Sequence, residues 1–306
     1  MPYGKDDLRS RLTTTPAIAG EPCAAPQYFD FTLLEPEVAE HGSRTWWVRG
    51  QNFALAYTVA QPGDMLTRHG QPDEYVALFP TEPAKARVTT KSDWTEVNAA
   101  TLVVVPPGDS AVEVEQETHV VRLFSAASTD LLVKCRNYAE YEEPHANVTP
   151  FIPWPEPADG YRLRAYRIAD YPYKEGRFAR IFRCSTFMVN VFDPDLAPRD
   201  PAKLSPHAHA DFEQCSLAVR GEYTHHIRSP WMSDLATWRE DEHVRTASPS
   251  VAIIPPPSIH TSQSMSQAGN QLIDIFCPPR VDFSAQPGWV INAAEYPPPS
   301  DGSCGE

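Results

Sequence analysis

Proline sets the first limit on what this chain can fold into. There are 32 prolines in 306 residues, about twice the roughly 5% of an average chain. Proline breaks helix interiors and collects in loops, turns and strand ends, so a mostly helical protein is excluded. The prolines also close short β-branched and aromatic runs. Glu74-Tyr75-Val76-Ala77-Leu78-Phe79 ends at Pro80, Thr101-Leu102-Val103-Val104-Val105 at Pro106-Pro107, and Ser250-Val251-Ala252-Ile253-Ile254 at Pro255-Pro256-Pro257. With similar runs at 53–59, 112–124, 187–192 and 272–276, they predict an antiparallel all-β protein. One short helix is expected at 128–134, capped by Ser128 or Thr129.

The length predicts two domains. The stretch 139–160 carries Glu140, Glu142 and Glu143, then Pro144, Pro150, Pro153, Pro155 and Pro157. That composition is stiff and extended, and Phe151 and Trp154 are expected to dock it onto a domain. The expected division is a first domain over 1–138, a linker over 139–163 and a second domain over 164–306. Residues 1–40 read as an irregular arm, the tail from 278 to 296 as a wrap over a barrel, and 297–306 as disordered. The halves repeat each other in order and rough spacing, which indicates a duplicated β-barrel module.

A net charge of −14 argues against nucleic acid as a partner, because phosphate binding needs a basic surface. Six cysteines show no Cys-x-x-Cys pair and no disulfide framework. Neither a signal peptide nor an apolar run long enough for a membrane span is apparent. A cytoplasmic protein with free thiols is expected. A homodimer is expected too, since exposed sheet edges are commonly covered by pairing.

The chemistry concentrates in one place. Residues 207–214 read His-Ala-His-Ala-Asp-Phe-Glu-Gln, and His260 follows the triple proline. In an extended segment His207 and His209 point to one face, and Glu213 is again in phase. Three neutral imidazoles and a carboxylate make a site for one divalent transition metal, Fe, Mn, Ni or Zn. Asp211 is in phase as well and is expected to fix an imidazole. Cys215 is assigned no role. The first half keeps only His69, beside Arg68 and Gly70, with Glu74 at the carboxylate position and Ser110 at the place of His260. It is expected to be metal-free.

The pattern His207-x-His209-x-x-x-Glu213, then Gly221, then Pro255-x-Pro257-x-x-His260, resembles the two motifs of the cupin superfamily. Gly221 falls one residue late, and Pro257 stands where the second motif has glycine. The resemblance implies two tandem cupin-like double-stranded β-helix (jelly-roll) barrels, the second holding a metal through His207, His209, Glu213 and His260. It also implies an enzyme acting on a small oxygen-rich or carboxylated substrate. A dioxygenase or other oxidoreductase is the leading expectation, with an isomerase, a decarboxylase or a non-catalytic small-molecule binder as alternatives. After Gly221, alternation sends either Thr224, His226 and Arg228 or Tyr223, His225 and Ile227 into the barrel. The first set nominates His226 as acid/base and Arg228 as a carboxylate clamp. Trp231 and Trp238, in the 229–248 insertion, are expected to be buried over the barrel mouth.

Overall fold

The computed structural model describes residues 21–299. Much of the N-terminal arm, the last residues of the tail and Cys304 lie outside them. Among the described residues there are two barrels, each built from one large and one small antiparallel sheet. The large sheet of the first barrel runs Arg164–Arg167, Thr101–Val105, Tyr75–Phe79, Thr118–Ser125, Phe53–Ala60, Arg44–Arg49 and Glu37–Val38. The large sheet of the second runs Gln27–Asp30, Ser250–Ile254, Gln214–Arg220, Gln271–Phe276, Met188–Val191 and Arg180–Arg183. The two orders match strand for strand from the first position to the sixth, so the internal repeat is a repeat of topology. The all-β, two-barrel jelly-roll fold expected from the sequence is the one observed.

The outermost strands are exchanged. Gln27–Asp30 pairs with Ser250–Ile254 in the second sheet, and Arg164–Arg167 pairs with Thr101–Val105 in the first. Each half of the chain therefore lends one edge strand to the other's sheet. The run 112–124, expected as one strand, is two: Gly108–Val114 and Thr118–Ser125 with a turn between them. The short helix forms at Thr129–Leu132. Ser128 occupies the N-cap position without capping it, because its hydroxyl pairs with Gln71 instead.

The large sheets are buried on both faces, which is why all eight residues of Phe53–Ala60 are buried. One face packs against the opposite large sheet through Val48, Leu55, Tyr57 and Val121 on one side and Val189, Leu217, Val251 and Ile275 on the other. The other face lines a barrel. In the first barrel this lining is mostly apolar, with Ala54, Tyr75, Phe79, Val88, Val112 and Phe124, but it also includes Arg68 and Arg122. The linker docks as expected, Trp154 being buried and Phe151 packed on the central core. The tail wraps over the second barrel, with Trp289 and Val290 buried beside Ile181 and Phe283.

Two carboxylates tie the halves together. Glu74 is fully buried and accepts from the Ser185 backbone N–H at 3.0 Å, the Ser185 hydroxyl at 2.7 Å and the Tyr296 hydroxyl at 3.1 Å. In the reverse direction, Glu213 accepts from the Gln51 N–H at 2.5 Å and the Tyr141 hydroxyl at 2.9 Å. The turns they enter are themselves duplicates. Asn137 clamps the N–H and C=O of Arg49, and Asn292 clamps those of Arg183. Gly50 has to be glycine, since a Cβ there would lie 2.8 Å from Glu213 Oε2 and 2.3 Å from the Phe53 ring. The charged ties are thus built into the repeat.

Removing a buried acceptor strands its donors without water. Glu74→Ala is expected to lower unfolding free energy by about 3 kcal/mol. Urea unfolding measures it, and a loss below about 1 kcal/mol would mean the tie is not structural.

Candidate metal centre

His207 and His260 are brought together by a two-residue β-bridge, each backbone N–H reaching the other's carbonyl at 3.0 and 2.7 Å. His209 joins them from the same loop. Ligand atoms of the three imidazoles lie within 4.8 Å of one another, and all three residues are buried. Glu213 is not among them. The segment bends at Ala210 and Asp211 rather than continuing as a strand, so the alternation that put Glu213 in phase is broken. Its carboxylate turns away to the inter-barrel tie, where burial raises its pKa to about 7 against the pull of the Gln51 N–H, Tyr141 and Arg49.

Gln214, passed over in the motif, takes the inward position. Its Oε1 lies 2.8 Å from His209 Nε2 and 3.2 Å from His260 Nε2. The amide orientation follows from a one-way chain of hydrogen bonds. Ser216 Oγ donates to Asp274 Oδ1 at 2.7 Å, so it must accept from Gln214 Nε2 at 2.9 Å, and Oε1 is left facing the imidazoles. Counting from Gln214 gives four residues after His209 and six before Gly221, which removes the irregular spacing noted in the sequence.

Two of the three tautomers suit a cation. His207 Nδ1 and His260 Nδ1 each lie 3.0 Å from a backbone carbonyl two residues earlier, Ser205 O and Ser258 O. A carbonyl only accepts, so both Nδ1 atoms carry hydrogen and both Nε2 atoms carry lone pairs. The His260 Nε2 lone pair then faces the Gln214 oxygen, acceptor against acceptor, an arrangement that positive charge between them relieves. His209 is held differently. Arg280 Nη1 donates to its Nδ1 at 3.0 Å, which leaves the ring hydrogen on Nε2, donated to Gln214 Oε1 at 2.8 Å. Burial first, then Arg280, keeps the His209 pKa well below the ordinary histidine value. With the His209 hydrogen moved to Nδ1 and Arg280 released from it, the residues present fit a divalent transition metal on His207, His209 and His260, with Gln214 as a neutral fourth donor.

Arg280 is the site residue that sequence reasoning missed. It is buried, ion-paired with Asp282 and stacked 4.0 Å over the Phe283 ring. The only local signal was a single arginine after Cys277-Pro278-Pro279; its placement depends on the docking of the following turn against the barrel.

Of the two alternations open to the strand Glu222–Arg228, the second is the one observed. Tyr223, His225 and Ile227 are buried inside. His226 lies on the outer face, 2.8 Å from the His243 ring, and Arg228 is exposed and paired with Asp241. Neither faces the imidazoles, so the acid/base and clamp roles given to them do not fit. Asp211 approaches Thr149 rather than an imidazole. Trp231 and Trp238 are not buried but stack on each other, centroids 4.3 Å apart, at 69% and 40% exposure.

The layer beneath the imidazoles is polar. Asn190 lies across from Asp274, Asp274 across from Ser216, and His225 across from Ser262 on the facing sheet. Both side-chain polar atoms of Asn190 and the Nε2 of His225 are buried with no hydrogen-bond partner among the described residues. In the first barrel the same registers hold Ala56, Arg122, Ala77, Val88 and Val112. The positions of His207, His209, Gln214 and His260 hold Arg68, Gly70, Tyr75 and Ser110, while His69 is exposed.

The fold is found in solved structures. Oxalate decarboxylase from Lactobacillus farciminis, as a formate complex, is 14% identical over 87% of this chain and 88% of that chain, with a TM-score of 0.55. AerE from Microcystis aeruginosa is 11% identical over 85% of this chain and 100% of that chain, with a TM-score of 0.52. A variant of Bacillus subtilis oxalate decarboxylase is 13% identical over 86% and 78%, at 0.51. No protein-family model and no curated protein matches the sequence. The fold is that of the two-barrel cupins. Among the described residues no helix is long and apolar enough to cross a membrane.

Two outcomes are expected. Glu213→Gln should keep one equivalent of metal by elemental analysis, His209→Ala should lose it, and Gln214→Glu should bind at least about tenfold tighter in chelator competition. Loss of metal in Glu213→Gln alone would restore the carboxylate as a ligand. Burial lowers the His225 pKa from 6.5 to about 4. Between those values the unfolded chain holds the extra proton, so the stability this neutral ring contributes is present above pH 6.5 and lost as pH falls towards 4. Relative to His225→Val, the wild type should lose about 3 kcal/mol across that window, read by urea unfolding at each pH; parallel curves would refute the assignment.

Proposed function

We propose that the second barrel is the centre of a metal-dependent enzyme acting on a small carboxylic acid. One observation carries this reading. A metal on His207, His209, His260 and Gln214 would meet only neutral donors, and the buried Arg280 guanidinium, paired with Asp282, touches His209. Neutral donors leave the charge of a divalent ion uncompensated, and a guanidinium suits a carboxylate. An anionic chelating substrate satisfies both.

The metal, from the Mn, Fe, Ni and Zn group, would supply Lewis-acid or one-electron chemistry when bound. The chain's own residues do the rest. The backbone carbonyls of Ser205 and Ser258 hold two imidazoles in the ligating tautomer. The Gln214–Ser216–Asp274 chain keeps the amide oxygen turned inward. Arg280 orients the carboxylate, its position held by Asp282 and by the Phe276 and Phe283 rings. Tyr223, Ile227 and Ile254 are buried apolar residues of the same barrel.

Among reaction types, decarboxylation is the reading we favour. It agrees with the names of two of the similar structures, and the site suits an acid as substrate. Dioxygenation is the second reading, favoured by the four-donor set, which leaves two positions of an octahedral metal for substrate and oxygen together.

The test supplies metal-loaded protein with a series of small mono- and dicarboxylic acids and measures CO2 release and O2 uptake. Metal-dependent CO2 release without stoichiometric O2 uptake is the expected result. Arg280→Met should cut kcat/KM by about a hundredfold or more. Fully loaded protein that turns over none of the acids would sink the proposal.

A further inference from the structure

The first barrel carries an anomaly of its own. Arg122, on Thr118–Ser125, points into the barrel and is 6% exposed. Its Nε is buried with no hydrogen-bond partner, and among the described residues no carboxylate pairs with the guanidinium. Arginine stays charged in proteins, and a buried charge without a partner is strongly unfavourable. The rings of Trp47 and Phe124, each 5.7 Å from the guanidinium carbon, give only partial compensation.

The surroundings make this worse, not better. Arg68 sits 5.7 Å over the same Phe124 ring. Its charge is matched at the rim by a two-pronged pair with Asp130 and by Gln71. Glu37, the acid that acts on Arg122 at longer range, is held by the Trp47 indole N–H at 3.0 Å and lies 3.8 Å from Lys134. One positive charge is therefore left over inside the barrel. It stands opposite Ala77 on one neighbouring strand and Ala56 on the other, two small side chains. Tyr75 and Ser110, at the positions of Gln214 and His260, share one hydrogen bond at 2.9 Å, which leaves one O–H of the pair to donate to a ligand. The matching residue of the second barrel is Asp274. The same fold position is thus a carboxylate in the barrel built for a cation and a guanidinium in the other.

We propose that the first barrel binds a small oxyanion, a carboxylate or a phosphate, on Arg122, with the Tyr75 and Ser110 hydroxyls and the Arg68 charge completing the site. It is independent of the reading given to the metal centre.

The full chain, treated with chelator and carrying Arg280→Met so that the second barrel offers no guanidinium, is titrated calorimetrically with formate, oxalate, phosphate and chloride at fixed ionic strength. One saturable oxyanion site is expected, lost or weakened at least tenfold by Arg122→Met. The rank of formate and oxalate against phosphate identifies which oxyanion the site prefers. Arg122→Met itself should match or exceed its parent in thermal midpoint without anion, because an unpaired buried charge has been removed. Should that variant fold poorly, Tyr75→Phe and Ser110→Ala, which keep the packing, should each weaken oxyanion binding by about threefold or more. No saturable binding, binding unchanged in all three variants, or chloride binding as tightly as the oxyanions would overturn the proposal.

Discussion

Everything in this molecule rests on two large sheets packed face to face, and on two carboxylates that fix how they meet. Apolar packing of Leu55, Tyr57 and Val121 against Leu217, Val251 and Ile275 is strong but has no direction. Glu74 and Glu213 add that direction. Each reaches into a backbone turn of the opposite half, where hydrogen bonds are satisfied in one register only. The desolvation of two acids is the cost of specifying that register.

Within this common frame the barrels have diverged by electrostatics rather than by shape. Strand order and register are shared, and so is the Asn–Arg–Glu–Tyr framework of the ties. The linings are not. One barrel has lined its interior with valine, alanine and aromatic rings around two arginines. The other has kept imidazoles, an amide, serines and a carboxylate, and polar atoms of Asn190 and His225 have no partners among the described residues. Duplication supplied the scaffold twice, and a handful of inward positions decided what each copy offers to a ligand.

The fold was legible because it depends on local patterns repeated many times: β-branched runs, prolines that end them, and the recurrence of both in the second half. The three histidines were legible for a related reason, since two share a segment and the third follows a recognisable strand end. What failed was phase. A bend at Ala210 and Asp211 moves the inward position from Glu213 to Gln214, and alternation alone cannot detect a bend. The strand bearing His225 and His226 has a histidine on each face, so composition could not choose between them. Arg280 was invisible because its neighbours come from distant parts of the chain. Glu74 and Glu213 were visible as a matched pair, but the pairing concerned the interface and not a ligand set.

The exchanged edge strands impose an order of events on the making of this protein. Gln27–Asp30 leaves the ribosome long before its partner, Ser250–Ile254. The second barrel cannot close until that partner has been made, and the early strand must wait unpaired in the meantime. Contacts so distant along the chain slow folding and leave a sheet edge open to wrong partners while they form. Neither half is a self-sufficient piece of polypeptide, so a cut within the linker would leave two fragments, each carrying a strand that belongs to the other.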